Sequence, residues 1–158
     1  VYNREVTLGT SKLTVNLGLF EGLLLDARAE VGVDIHAECG MVGGIREYKS
    51  YFRRFSADSV RVVEETRARC AYDVDAVGHV RFEVDSDATH LPVSLASMLG
   101  KYVRELAMER INRFYRRHEE SLPQASGYYD PVTTRFIEST RALRRALPIA
   151  DACFERVR

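Results

Sequence analysis

The segment from Asp87 to Glu105 most constrains what this chain can fold into. Asp87 stands just past an apparent strand, and Pro92 follows where the first turn of a helix accepts proline, whose missing N–H would find no intrahelical partner there. The run Ala96-Ser97-Met98-Leu99-Gly100-Lys101 then sets small residues on the expected helix, which spans Pro92 to about His118. Leu95, Leu99, Tyr102, Leu106, Ile111 and Phe114 recur at helical spacing and form its apolar face. Ala96 and Gly100 are expected to bring this helix close to a sheet, with Ser97 on the buried side. A carboxylate at a strand end beside such a helix is a natural ligand for a hard divalent cation.

The rest of the chain alternates helix and strand. Asn16 to Val31 has helical periodicity through Leu17, Phe20, Leu24 and Ala27, and Val33 to Cys39 is a short strand candidate. Ile45 to Phe55 predicts a second helix with Tyr48, Tyr51, Phe52 and Phe55 on one side. Ser59 to Glu64 is β-branched and predicts a strand, and Cys70–Val74 with Val80–Val84 predicts a hairpin around Asp75 to His79. Leu122 to Asp130 is a loop, and Pro131 opens a final helix that ends before Pro148. This order predicts an α/β domain, a mixed sheet flanked by helices, spanning residues 1–158 as one unit. The opening residues carry no strand, so the chain reads as if it begins partway through a fold.

Charge is balanced overall, with 23 basic and 23 acidic residues, so a uniformly polyelectrolyte binder is excluded. The balance is uneven along the chain: residues 101–158 hold 12 Lys/Arg against 8 Asp/Glu. Lys101, Arg104, Arg110, Arg113, Arg116 and Arg117 share one helix, with Arg135, Arg141, Arg144 and Arg145 on the next. They fit either a track for a phosphate backbone or a solvated face laced by pairs such as Glu109–Arg113. Cys39, Cys70 and Cys153 are widely spaced and odd in number, which argues for three buried thiols in a reducing cytoplasm rather than a disulfide framework. The longest apolar run, Leu23-Leu24-Leu25, is far too short for a membrane span.

Five acids lie within fifteen positions, Asp73, Asp75, Glu83, Asp85 and Asp87. They read either as carboxylates converging on Mg²⁺ or Mn²⁺ or as a solvated acidic hairpin. If residues 80–84 form a strand, Val80, Phe82 and Val84 share one face while Arg81 and Glu83 share the other. His36 reads as a satisfied core histidine, and Asp130 as the N-cap of the last helix. Nucleophile elbows, phosphate-binding loops and zinc-protease motifs are absent.

Two stretches carry a resemblance. Asp87, followed ten residues later by Ser97 in Ala96-Ser97-Met98-Leu99-Gly100-Lys101 with Arg104-Glu105 behind, resembles the last catalytic motif of the type 2 ribonuclease H family. The loop Ser126-Gly127-Tyr128-Tyr129-Asp130-Pro131 is similar to that family's Ser-Gly-Tyr turn before an Asp-Pro helix start, one residue shorter. The resemblance implies a ribonuclease H-like fold lacking its first strands, completed by an upstream segment or a partner chain. It implies cleavage of the RNA strand of RNA–DNA hybrids by two-metal hydrolysis, with Mg²⁺ or Mn²⁺ on Asp87. Glu38 stands nearest the family's third catalytic position and is the implied second ligand. Lys101 and Arg104 are implied phosphate contacts, and Tyr128 a contact to the sugar. The family's opening Asp-Glu pair and Gly-Arg-Gly turn are absent, so the alternative expectation is a degenerate nucleic-acid-binding or interaction domain.

Overall fold

The computed structural model describes residues 2–75 and 77–156. The chain divides into two compact units, residues 1–97 and 98–158. The first contains α1 (Tyr2–Thr7), α2 (Lys12–Val31), β1 (Ile35–Gly40), β2 (Val60–Glu65), β3 (Arg69–Val74), β4 (Gly78–Glu83) and α3 (Ser86–Thr89). The four strands form one mixed sheet in the order β1-β4-β3-β2, with β1 parallel to β4 and the other pairs antiparallel. The expected α/β class with a mixed sheet and helices is therefore present.

Local chemistry sets the ends of α2. Ser11 caps its N-terminus by accepting the Thr14 N–H at 3.1 Å, so the helix starts earlier than Asn16. Gly32 ends it in the left-handed region at φ 77° and returns its N–H to the Arg28 carbonyl. Leu17 is buried and Phe20 and Leu24 pack against the core. That core is the inner face of the sheet, Cys39, Cys70, Tyr72, Val74, Val80 and Phe82, closed by Tyr48, Phe52 and Phe55. Tyr48 stacks on Phe82 with ring centroids 4.2 Å apart. Its hydroxyl accepts the Val42 N–H and donates to the Val42 carbonyl, so its polar end is satisfied inside.

The helix expected over Ile45–Phe55 is absent, and only one 3₁₀ turn forms at Lys49–Tyr51. The aromatic residues do pack inward, but Glu21 reaches across from α2 and redirects the backbone. Its carboxylate accepts the N–H groups of Arg53, Arg54 and Phe55 at 2.8–3.1 Å. Those donors are thereby unavailable to a helical ladder.

The long helix α4 (Leu91–Arg116) has its residues up to Ser97 in the first unit and the rest in the second. The second unit continues with α5 (Pro131–Ser139), α6 (Arg141–Ala146) and α7 (Asp151–Phe154). Its core joins Tyr115, Leu122, Ala125 and Phe136, with Met108, Ile111, Leu143 and Phe154 packed against them. Asn112 is buried on α4 and binds Ala125 in both directions, fixing the loop that precedes α5. The single helix expected after Pro131 is broken at Thr140, whose hydroxyl donates back to the Phe136 carbonyl at 2.7 Å.

Three burial expectations are corrected. Leu95, Leu99, Tyr102 and Leu106 are exposed rather than core, Ser97 is exposed, and a Cβ added to Gly100 would meet nothing within 4 Å. Periodicity identifies an apolar stripe without saying what lies over it; Ile111, one of the same stripe, does pack into the core. Arg144, grouped with solvated arginines, is fully buried. Cys39 and Cys70 are buried, but Cys153 is exposed.

Candidate functional site

The first unit presents a polar sheet face opposite its core. Strand alternation turns Ala37, Cys39, Val80 and Phe82 inward and His36, Glu38, His79, Arg81 and Glu83 to the other side. Register then lays these residues out in rows. His36, His79, Asp73 and Arg61 form one, Glu38 and Arg81 the next, and Glu83 and Arg69 the last. His36 is exposed here, which corrects its reading as a core histidine.

Glu38 is held from both sides of its carboxylate: Arg81 Nε donates at 2.7 Å and Nη2 at 2.6 Å. Glu83 accepts from Arg69 Nε at 3.1 Å, and that hydrogen bond, with the surrounding guanidinium charge, holds its carboxyl below the usual range. The Nε2 of His90 is buried and lies 3.8 Å from Glu38 and 3.7 Å from Glu83, beyond hydrogen-bonding distance of either. Burial, with the Glu38 charge next door, pushes the Cys39 thiol up to about 12, so it is an inert thiol rather than a nucleophile.

Asp87 sits on the short helix α3 and is exposed. It and Glu38 line one cleft of about 450 Å³, with Phe20, Met41, Pro92 and Val93 among its walls. The cleft thus brings together the two carboxylates that the sequence picked out. Their chemistry does not fit Mg²⁺ or Mn²⁺, however. Such ions need several oxygen ligands, and both Glu38 oxygens already receive Arg81. Among the described residues no group of three or more His, Cys, Asp or Glu is placed to hold a metal ion. Arg81 was the partner that sequence reasoning missed. Its signal was present in the alternation of the two strands, though nothing in the sequence states which strands pair.

In the second unit, Arg104 and Tyr128 meet. The Arg104 guanidinium lies over the Tyr128 ring, 3.8 Å from its centroid, and its Nη1 donates to the Ser126 carbonyl at 2.7 Å. The turn that delivers Tyr128 is built from the expected residues. Gly127 adopts φ +76°, and a Cβ there would stand 2.6 Å from Met108 Sδ, so only glycine fits without displacement. Asp130 caps α5 by accepting the Val132 and Thr133 N–H groups at 2.8 Å and also receives the Ser126 hydroxyl. Those hydrogen bonds, the Ser126 hydroxyl first, pull its carboxyl down to about 2. Tyr128 remains 57% exposed, so one face of its ring carries Arg104 while much of the rest meets solvent. Arg104 also pairs through Nη2 with the Glu105 carboxylate at 2.5 Å, whereas Lys101, exposed one helical turn earlier, has no ion-pair partner among the described residues.

No family model, curated protein or solved structure matches the chain. No helix among the described residues is long and apolar enough to cross a membrane.

Proposed function

We propose that this chain is a ribonuclease H-like domain that binds nucleic acid, an RNA–DNA hybrid in the first instance, through Lys101, Arg104 and Tyr128. The observation that carries this reading is the Arg104–Tyr128 stack on a turn locked by Ser126, Gly127 and Asp130. A cation laid on an aromatic ring with a further lysine one turn away can neutralise phosphate and offer a flat apolar surface to a sugar or base. Because the turn is fixed before binding, little ordering cost falls on complex formation. Free thiols, none of them in a disulfide, fit the cytoplasmic location expected from the sequence.

Binding without metal-dependent hydrolysis is the form of the reading that the geometry favours, because Arg81 holds Glu38. The test is binding of a labelled RNA–DNA hybrid, with cleavage followed in Mg²⁺ and in Mn²⁺ alongside. The expected outcome is hybrid binding that weakens in Arg104→Ala and Tyr128→Ala, with the hybrid left intact. Metal-dependent cleavage lost in Asp87→Asn would instead make the chain a hydrolase of the ribonuclease H type. Absence of binding at low salt would remove the proposal.

A further inference from the structure

The row His36–His79–Asp73 on the open sheet face has a use that hybrid binding does not absorb. His79 Nδ1 lies 2.8 Å from Asp73 Oδ1, and the other Asp73 oxygen receives Arg61 Nη2. The hydrogen bond from His79, then the Arg61 charge, holds the Asp73 carboxyl below its usual range, so it stays an acceptor. An imidazole that donates through Nδ1 keeps a bare, basic Nε2. His36 is the direct register neighbour of His79 on the parallel strand, with ring centroids 5.6 Å apart and planes 44° apart. His36 has no hydrogen-bond partner among the described residues, so both its ring nitrogens are open to a ligand. Both rings line a cleft of about 660 Å³ that also takes in Arg61, Arg81 and Asp34.

We propose that this row is a metal-independent site for breaking unpaired RNA by transfer of the phosphoryl group to the neighbouring 2′-hydroxyl. The inference goes beyond the binding reading and does not depend on it. The reaction asks for one base and one acid on either side of a phosphodiester, with the nucleophile supplied by the substrate itself. His79 Nε2 takes the 2′-hydroxyl proton as the 2′-oxygen forms a bond to phosphorus. The bond from phosphorus to the 5′-oxygen breaks, and that oxygen takes a proton from protonated His36. The products are a 2′,3′-cyclic phosphate and a 5′-hydroxyl. Solvent restores the two histidines, and no oxidant, metal or second substrate is consumed. Asp73 acts as a positioning residue that fixes the His79 tautomer. Arg61 spends only part of its five-donor fork on Asp73, which leaves donors for a phosphate oxygen. Unpaired RNA is the substrate because the attacking and leaving oxygens must come into line, which a rigid duplex backbone resists.

The test uses the full chain in EDTA with a short labelled oligoribonucleotide, and the same oligomer built from 2′-deoxy sugars as control. Wild type is expected to cut the first, leave cyclic phosphate ends, and spare the second. His36→Ala and His79→Ala are each expected to slow cleavage by about 10²–10⁴-fold, the usual worth of a general acid or base, with thermal melting unchanged. If His79→Ala melts early, His79→Gln replaces it, since an amide can still donate to Asp73 but cannot shuttle the proton. No wild-type cleavage in EDTA overturns the proposal. Cleavage at the wild-type rate by the identically purified variants, or products bearing a 5′-phosphate, overturns it equally.

Discussion

Each unit is organised around one fully buried charge, and the two are satisfied in opposite ways. Glu21 in the first unit, 1% exposed, draws its partners from the backbone: three consecutive N–H groups of residues 53–55. Arg144 in the second, 0% exposed, donates to the Ile137 carbonyl and the Thr140 hydroxyl and stacks on Phe154. It also pairs with the Asp151 and Glu155 carboxylates, whose side chains remain 59% and 39% exposed. The difference is in who is stranded when the charge goes. Without Glu21, three consecutive backbone donors lose their acceptor, and the N–H of buried Phe55 is the one furthest from water. Without Arg144, two carboxylates already half in water rehydrate, and only the Ile137 carbonyl and the Thr140 hydroxyl lose a buried partner. A buried charge that is the shared acceptor of three backbone donors is therefore harder to replace than one whose charged partners are half-exposed carboxylates.

Glu21→Ala should destabilise the first unit by about 3–5 kcal/mol, the cost of taking the shared acceptor from three backbone donors, one of them buried, and of emptying its buried place. Glu21→Gln keeps the oxygen that receives all three N–H groups and should cost only about 1–2 kcal/mol. Urea unfolding of both variants checks this, and equal losses would break the account of the 53–55 turn. Arg144→Met, which keeps length and apolar packing while removing the charge, should cost about 1–2 kcal/mol in the same experiment. A loss as large as that of Glu21→Ala would end the comparison.

A smaller effect is set by pH at the Tyr128 turn. Asp130 has its folded-state value lowered to about 2 from an ordinary 3.8. Its contribution is thus complete above the ordinary value and is lost as pH falls from there through about 2. Acid titration followed by tyrosine fluorescence should show the Tyr128 turn loosening in that window. Asp130→Asn should flatten this part of the curve, while an unchanged curve would show that the cap does not govern the turn.

Sequence patterning reached the elements whose partners are local. The hairpin of β3 and β4, the Asp130 cap, the Ser126-Gly127-Tyr128 turn and the Glu109–Arg113 pair were all legible, because each is decided within a few residues. What it missed was decided at long range. Glu21 spells an ordinary helical glutamate until residues 53–55 fold back on it, and that contact removes the helix expected there. Arg144 reads as one arginine among many. Glu38 was picked out only through the resemblance, yet the register that hands it to Arg81 depends on β1 pairing parallel with β4, a crossover no local motif encodes. The same pairing brings His36 beside His79.

If Lys101, Arg104 and Tyr128 form a nucleic-acid contact, hybrid binding must depend on salt through them. Each phosphate neutralised contributes roughly 0.9 to the slope of log K against log salt on a duplex. Lys101→Ala with Arg104→Ala should lower that slope by about two phosphate equivalents, and Tyr128→Ala should weaken binding with the slope nearly unchanged. A wild-type slope of zero, or a slope indifferent to the two cations, would contradict the contact.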